Sequence, residues 1–277
     1  ESKAMKKAIS ILLALCLLLL AGCFGPKQAL RAVQQAAAGE KESLPIPEAA
    51  NAAEVLEEAA ESVAPAMAAA SAIPAEAYAK YAETKSAAFD RLSAKLDENE
   101  ELYLSVGMAI LPISMIDLSL IPLSVIGLDE SGVALAMLGM EGVDVKQAGN
   151  TYSLSYKNDE GQTVEFTCEY DPATDSMRSS TTQGGQEILA FEYVKAGDSY
   201  ASQYYSWDET AQNYSWVTGF FDAEKIAAFG MATVDQKQGS IFKGSGYSSD
   251  FVVNQEAYFI LDGDTLTVLE NGAVKTY

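Results

Sequence analysis

Few residues in this 277-residue chain could do chemistry by type and spacing. Ser240-Ile241-Phe242-Lys243 places a hydroxyl three residues before an amine. On a helix that is one turn, and the amine could take the hydroxyl proton. Here Gly239 precedes and Gly244-Ser245-Gly246 follows, so a strand edge and a loop are expected. A K-T-G partner is missing too, since Lys275-Thr276-Tyr277 lacks the glycine. Asp171 with Asp175, and Asp262 with Asp264, are paired carboxylates in turn-rich surroundings. Asp262-Gly263-Asp264 lacks the ligand series of a calcium loop, and Asx turns account for both pairs. Carboxylate hydrolases pair their acids in space rather than in sequence, so that chemistry stays as a remote alternative. Cys168 lies in the alternation Val164, Phe166, Cys168, Tyr170 and reads as a buried, inert thiol.

The chain has no histidine. Every triad, dyad or metal site that needs imidazole is therefore excluded. Neither a phosphate-cradling G-x-x-x-x-G-K loop nor a dinucleotide fingerprint occurs. With 18 Lys+Arg against 39 Asp+Glu the net charge is −21. A chain of that sign does not read nucleic acid through its phosphates. The expectation is a protein that is not an enzyme and has no metal, no cofactor and no nucleic-acid partner. Hydrophobic residues at 49% exclude general disorder.

The N-terminus carries an address. Lys6 and Lys7 follow Met5, the expected true start, with Glu1–Ala4 as read-through. Ala8–Leu20 is apolar apart from Ser10, and is too short for a spanning helix. Small residues follow, completing the pattern of a secretory signal peptide. Leu20-Ala21-Gly22-Cys23 resembles the lipobox of bacterial lipoproteins. The resemblance covers the first 23 residues. It implies cleavage after Gly22, diacylglycerol on Cys23, and a place in the bacterial cell envelope facing the extracytoplasmic side. Acylation by two or three chains anchors stably where one is marginal. Cys16 leaves with the signal peptide, so Cys168 remains as the sole free thiol and an intramolecular disulfide is not expected. The strongly acidic body should be held off an anionic membrane surface.

Behind the anchor the chain divides. Residues 23–73 hold the lipidated Cys and an Ala/Glu/Pro-rich spacer with few large apolar residues. Residues 74–277 are expected to form one α+β domain, helical over 74–141 and a β meander over 150–277. Pro74 opens a helix in which Tyr78, Tyr81, Phe89, Leu92 and Leu96 recur on one face, with Glu83, Lys85, Asp90, Arg91 and Lys95 on others. It is expected over 74–102. The acids Asp97, Glu98, Glu100 and Glu101 oppose the helix dipole and place its end nearer Leu96. From Leu102 to Leu128, 18 of 27 residues are apolar and only Asp117 is charged. Pro112 and Pro122 cut this run into pieces about 14 Å long, half a bilayer core, so short buried helices are expected. Another is expected over Val133–Met140.

Beyond residue 150 the period changes to two. Tyr152, Leu154 and Tyr156 alternate with Ser153 and Ser155, and turn signals recur every 8–12 residues. Strands are expected over 187–195, 199–206, 214–221, 231–237, 257–262, 265–270 and 273–276, with Asp222–Phe229 as a helical turn. The fold expected is α+β: an antiparallel β meander of about 8–10 strands, a curved sheet or half-barrel, covered by N-terminal helices. That arrangement is loosely similar to the half-barrel of periplasmic lipoprotein carriers, which hold acyl chains between sheet and helices. The likeness is architectural, and fold does not fix function. It suggests a ligand site lined by Met108, Ile110, Leu111, Met115, Ile116 and Leu120, taking a lipid or another apolar ligand. The alternative is an interaction module whose aromatic hairpin, with Tyr205, Trp207 and Trp216, meets a protein or glycan partner. The N-terminal reading is checked by detergent-phase partitioning. The native protein should enter the detergent phase with its first 22 residues gone. Cys23→Ser should stay in the aqueous phase, and an aqueous native protein would contradict the anchor.

Overall fold

Alternation in the C-terminal half produces a sheet with a simple strand order. The computed structural model describes residues 73–98, 113, 116–117, 119–128, 131, 135, 140–158, 161–270 and 272–277. Eleven strands follow the chain: β1 (Glu141–Ala148), β2 (Thr151–Lys157), β3 (Thr163–Asp171), β4 (Ser176–Gln183), β5 (Gln186–Ala196), β6 (Ser199–Asp208), β7 (Asn213–Phe221), β8 (Ile226–Val234), β9 (Ala257–Asp262), β10 (Thr265–Glu270) and β11 (Ala273–Thr276). They form one antiparallel sheet in sequence order, with β1 and β11 at free edges. The expected meander is there, with one strand more than the upper estimate. β1 lies ahead of the residue at which the strands were expected to begin.

The β7–β8 junction corrects a second expectation. Asp222–Phe229 is not a helical turn, because Ile226–Val234 is a strand. Ala227 and Ala228, which favour helix in isolation, are completely buried on opposite faces of the sheet. The Asp222 carboxylate accepts from the backbone N–H groups of Glu224, Lys225 and Ile226. It thereby closes a tight turn that competes with helix.

One face of the sheet is covered by helix α1 (Pro74–Asp97), which stops one residue past Leu96, well short of 102. Its apolar stripe, Tyr78, Tyr81, Phe89, Leu92 and Leu96, is buried as the periodicity predicts. Tyr81 is the hub. Its ring lies 4.9 Å from Tyr193, 5.4 Å from Phe191, 5.5 Å from Phe221 and 5.6 Å from Tyr200. One helical side chain thus engages β5, β6 and β7 together. Phe89 stacks on Phe229 of β8 at 4.5 Å. Arg91 donates to the carbonyls of Asp222 and Ile226, pinning the helix to the β7–β8 turn.

The other face is covered over β5–β9 by a strap, residues 235–256, which joins β8 to β9. Ile241 and Val252 of the strap are buried against Val194, Ala201, Phe220, Ala228 and Tyr258. Glu192 of β5 fastens it, accepting from Ser240 Oγ at 2.6 Å and from the Ile241 N–H at 2.8 Å. Gly230 permits the approach. A Cβ there would meet Gln255 Cγ at 2.5 Å and the Val252 carbonyl at 2.9 Å.

Stability should report on Asp222. Burial pushes its carboxyl up, but the three backbone N–H groups and the Arg91 guanidinium together outweigh that and hold it below the usual carboxylate range. A carboxyl lowered by folding contributes stability above its unfolded pKa of about 3.9, and that contribution is lost as pH falls through the folded value. Asp222→Ala should therefore cost about 1–2 kcal/mol at neutral pH, and less in acid. Urea midpoints at pH 7 and pH 3 check this. An equal loss at both pH values would contradict it.

Candidate functional site

A cleft of about 1050 Å³ opens on the helix-covered face, at the end of the sheet where the even-numbered strands end. In a meander, the turns after even strands all lie at one end. Three of them contribute: Gln162 from β2–β3, Gln183, Gly184 and Gln186 from β4–β5, and Glu209 and Gln212 from β6–β7. The floor is made by Leu189, Tyr204, Ser206, Ser215 and Val217. Cross-strand pairing puts these on one face, with Tyr204 opposite Val217 and Ser206 opposite Ser215. Ile188 joins them because the sheet register shifts between Thr181 and Thr182. Ile116 and Ser119 form the wall away from the sheet.

That wall is held by two polar contacts. Lys85 of α1 pairs with Asp117 at 2.6 Å. Lys85 is only 5% exposed, although its place in the helical pattern assigned it to an outer face. Burying an ammonium is costly unless a counter-charge meets it, and Asp117, lone charge of its apolar run, is that counter-charge. Two residues on, Ser119 Oγ and Tyr204 OH share a hydrogen bond of 2.8 Å. Burial, and less strongly Asp117, push the Tyr204 hydroxyl up to about 12, so it stays protonated at neutral pH. A 3-10 turn at Ile121–Ser124 follows, with Pro122 and Leu123 buried.

Of the residues expected to line a ligand site, Ile116 lines this cleft and Leu120 is buried in the adjoining core. Met108, Ile110, Leu111 and Met115 lie outside the described residues, as do Leu20, Ala21, Gly22 and Cys23. The aromatic hairpin keeps its members on one face, where Tyr214, paired with Trp207, lies 6.1 Å from Tyr205. Tyr205 and Trp216 stack in parallel at 5.9 Å on the strap face. Tyr205 is buried there, accepting from the Gln238 N–H at 3.0 Å. Trp207 is half-buried, 4.9 Å from Tyr214, and borders the cleft. The glutamines of the rim were not singled out by their sequence. Only the Gln183-Gly184-Gly185 turn marked their position, and the parity of the hairpins brings them together.

The other candidates are engaged elsewhere. Ser240 is bonded to Glu192, while Lys243 pairs with Asp171 at 3.3 Å, so hydroxyl and amine serve different carboxylates. Asp171 closes an Asx turn onto the Ala173 N–H and Thr174 Oγ1, as expected. Asp175 accepts from Tyr193 OH at 3.2 Å, and Asp262 pairs with Lys225 at 3.0 Å. Cys168 is buried, and burial pushes its thiol far up. A second groove of about 560 Å³ lies beside the strap. Its cations are matched internally, Arg178 by Glu169 and Lys237 by Glu187. Among the described residues there is no group of three metal-ligating side chains, and no helix long and apolar enough to cross a membrane.

No protein-family model matches this sequence, and neither a curated protein nor a solved structure matches it. The site must be read from its own chemistry.

The cleft wall supplies a stability test. Asp117→Ala strands a buried ammonium and should cost about 2–3 kcal/mol. Lys85→Met removes the cation and keeps the volume, so it should cost under about 1 kcal/mol. Urea denaturation of both variants checks the order. The reverse order would contradict a wall held by this ion pair.

Proposed function

We propose that this chain is a membrane-anchored, extracytoplasmic binding protein without catalytic activity, whose ligand occupies the cleft between the sheet and the wall formed by Ile116 and Ser119. The single observation that carries the reading is the cleft itself, with a floor of Leu189 and Val217, a wall of Ile116 and a rim of four glutamine amides and Glu209. A pocket of this size with an apolar base and a few convergent polar groups is the usual form of a small-molecule site. The anchor is the lipid on Cys23, and residues 24–73 are the spacer that lifts the acidic domain from the bilayer.

The proposed architecture is a curved half-barrel with further N-terminal helices over the same face. Its support is one continuous apolar cluster running from Tyr152 on β2 to Val268 on β10, all on the face that α1 covers. A flat sheet would spread nine strands across about 38 Å, more than one helix width can cover. The ligand that fits has an apolar face for the floor and an uncharged polar perimeter for the rim. A partner docking through the aromatic hairpin is favoured less, because Tyr205 is spent on Trp216 and the strap.

Native mass spectrometry of the protein extracted from its own membrane tests this reading. A bound mass that leaves on organic extraction, and that is reduced in Val217→Trp, is the expected result. A bare protein mass under gentle conditions, with no uptake from an envelope extract, would overturn it.

A further inference from the structure

Resting on the cleft reading above, we infer that the ligand is a neutral saccharide. The first ground is charge. In a chain with 39 acidic and 18 basic residues, the cleft is lined among the described residues by one carboxylate, Glu209, and by no lysine or arginine. A phosphate or carboxylate ligand would find no cation there to replace its hydration. A cationic ligand would find one acid, at the rim.

The second ground is the kind of polar group present. Gln162, Gln183, Gln186 and Gln212 arrive from three different turns, and each amide both donates and accepts. Hydroxyls of Ser119, Tyr204, Ser206 and Ser215 add groups of the same dual character. A sugar hydroxyl also donates and accepts at one atom, so such a lining suits it in either sense. Part of the rim is already set. Gln183 donates to Gln162 Oε1, and Gln162 receives Asn158 Nδ2 at the same oxygen. These bonds fix the amide planes before a ligand arrives, which lowers the entropy cost of binding.

The third ground is the pairing of apolar and polar surface. Sugar rings carry C–H faces beside equatorial hydroxyls. Leu189, Val217 and Ile116 offer the apolar base. An acyl chain would desolvate the glutamine rim without satisfying it. An extended peptide gains affinity by adding to a sheet edge. The floor here is a sheet face, whose backbone groups are already paired between β5, β6 and β7.

The test reads binding by isothermal titration calorimetry. The full lipidated protein is placed in phospholipid nanodiscs. It is titrated with neutral oligosaccharides of glucose, mannose, galactose and N-acetylglucosamine, with their uronic-acid counterparts, and with oleate. A saturable binding heat with at least one neutral oligosaccharide, half-complete below about 1 mM, is expected. It should weaken at least fivefold in Gln183→Ala and in Gln212→Ala while the urea midpoints hold. Arg178→Ala, on the other groove, should leave it unchanged. The inference is overturned if uronic acids bind equally well, if both glutamine variants bind normally, or if no sugar gives a response. A saturable response to oleate alone also overturns it, while leaving a ligand-bearing cleft in place.

Discussion

The ion pair between Lys85 and Asp117 is the contact on which the candidate site depends. It joins the one long helix described to a segment whose sequence is apolar except for that acid. A buried ammonium cannot stay unpaired, so the helix dictates where Asp117 must sit. Ile116 and Ser119 are its near neighbours in sequence, and they become the cleft wall. The Ser119–Tyr204 hydrogen bond then ties that wall to β6, across 85 residues of chain. Position is thus set by charge burial at one point and by a hydroxyl pair at the next, while the surrounding apolar contacts supply bulk stability.

The sheet has two apolar faces, and the chain covers them with different devices. On one side a helix lays an aromatic stripe over β5–β8, with Tyr81 at the centre of four rings. On the other a strap of irregular chain does the same for fewer residues, fixed by Glu192 and admitted by the missing side chain of Gly230. The strap-side groove is charged and internally compensated, whereas the helix-side cleft is nearly free of charge. That contrast, within a strongly acidic chain, is what supports the proposal that the helix-side cleft takes the ligand.

Much of this was legible in the residues. The sequence pattern placed β5, β6, β7, β9, β10 and β11 within about two residues of their observed limits, and all but the exposed β11 carry large apolar side chains on one face. The helix stripe of α1 was legible for the same reason. β4 gives a weaker signal, with Met177 its sole large apolar residue among serines and threonines. β8 was misplaced because alanines favour helix locally and only the packing of both sheet faces makes them strand. The burial of Lys85 could not be seen, since its partner lies 32 residues on and nothing in the helix marks it. The cleft's glutamines were equally hidden, being ordinary turn residues until the order of the hairpins gathers them at one end of the sheet.

The proposed anchored protein would hold its ligand in a cleft whose described lining carries one carboxylate, Glu209. Hydrogen exchange of the intact protein, with and without a soluble extract of its own cell envelope, tests this most directly. Protection gained in the turns at 158–162, 183–186 and 208–213 together with the wall at 116–124 is the predicted result. Protection confined to the strap at 235–256, or no change anywhere, would contradict it.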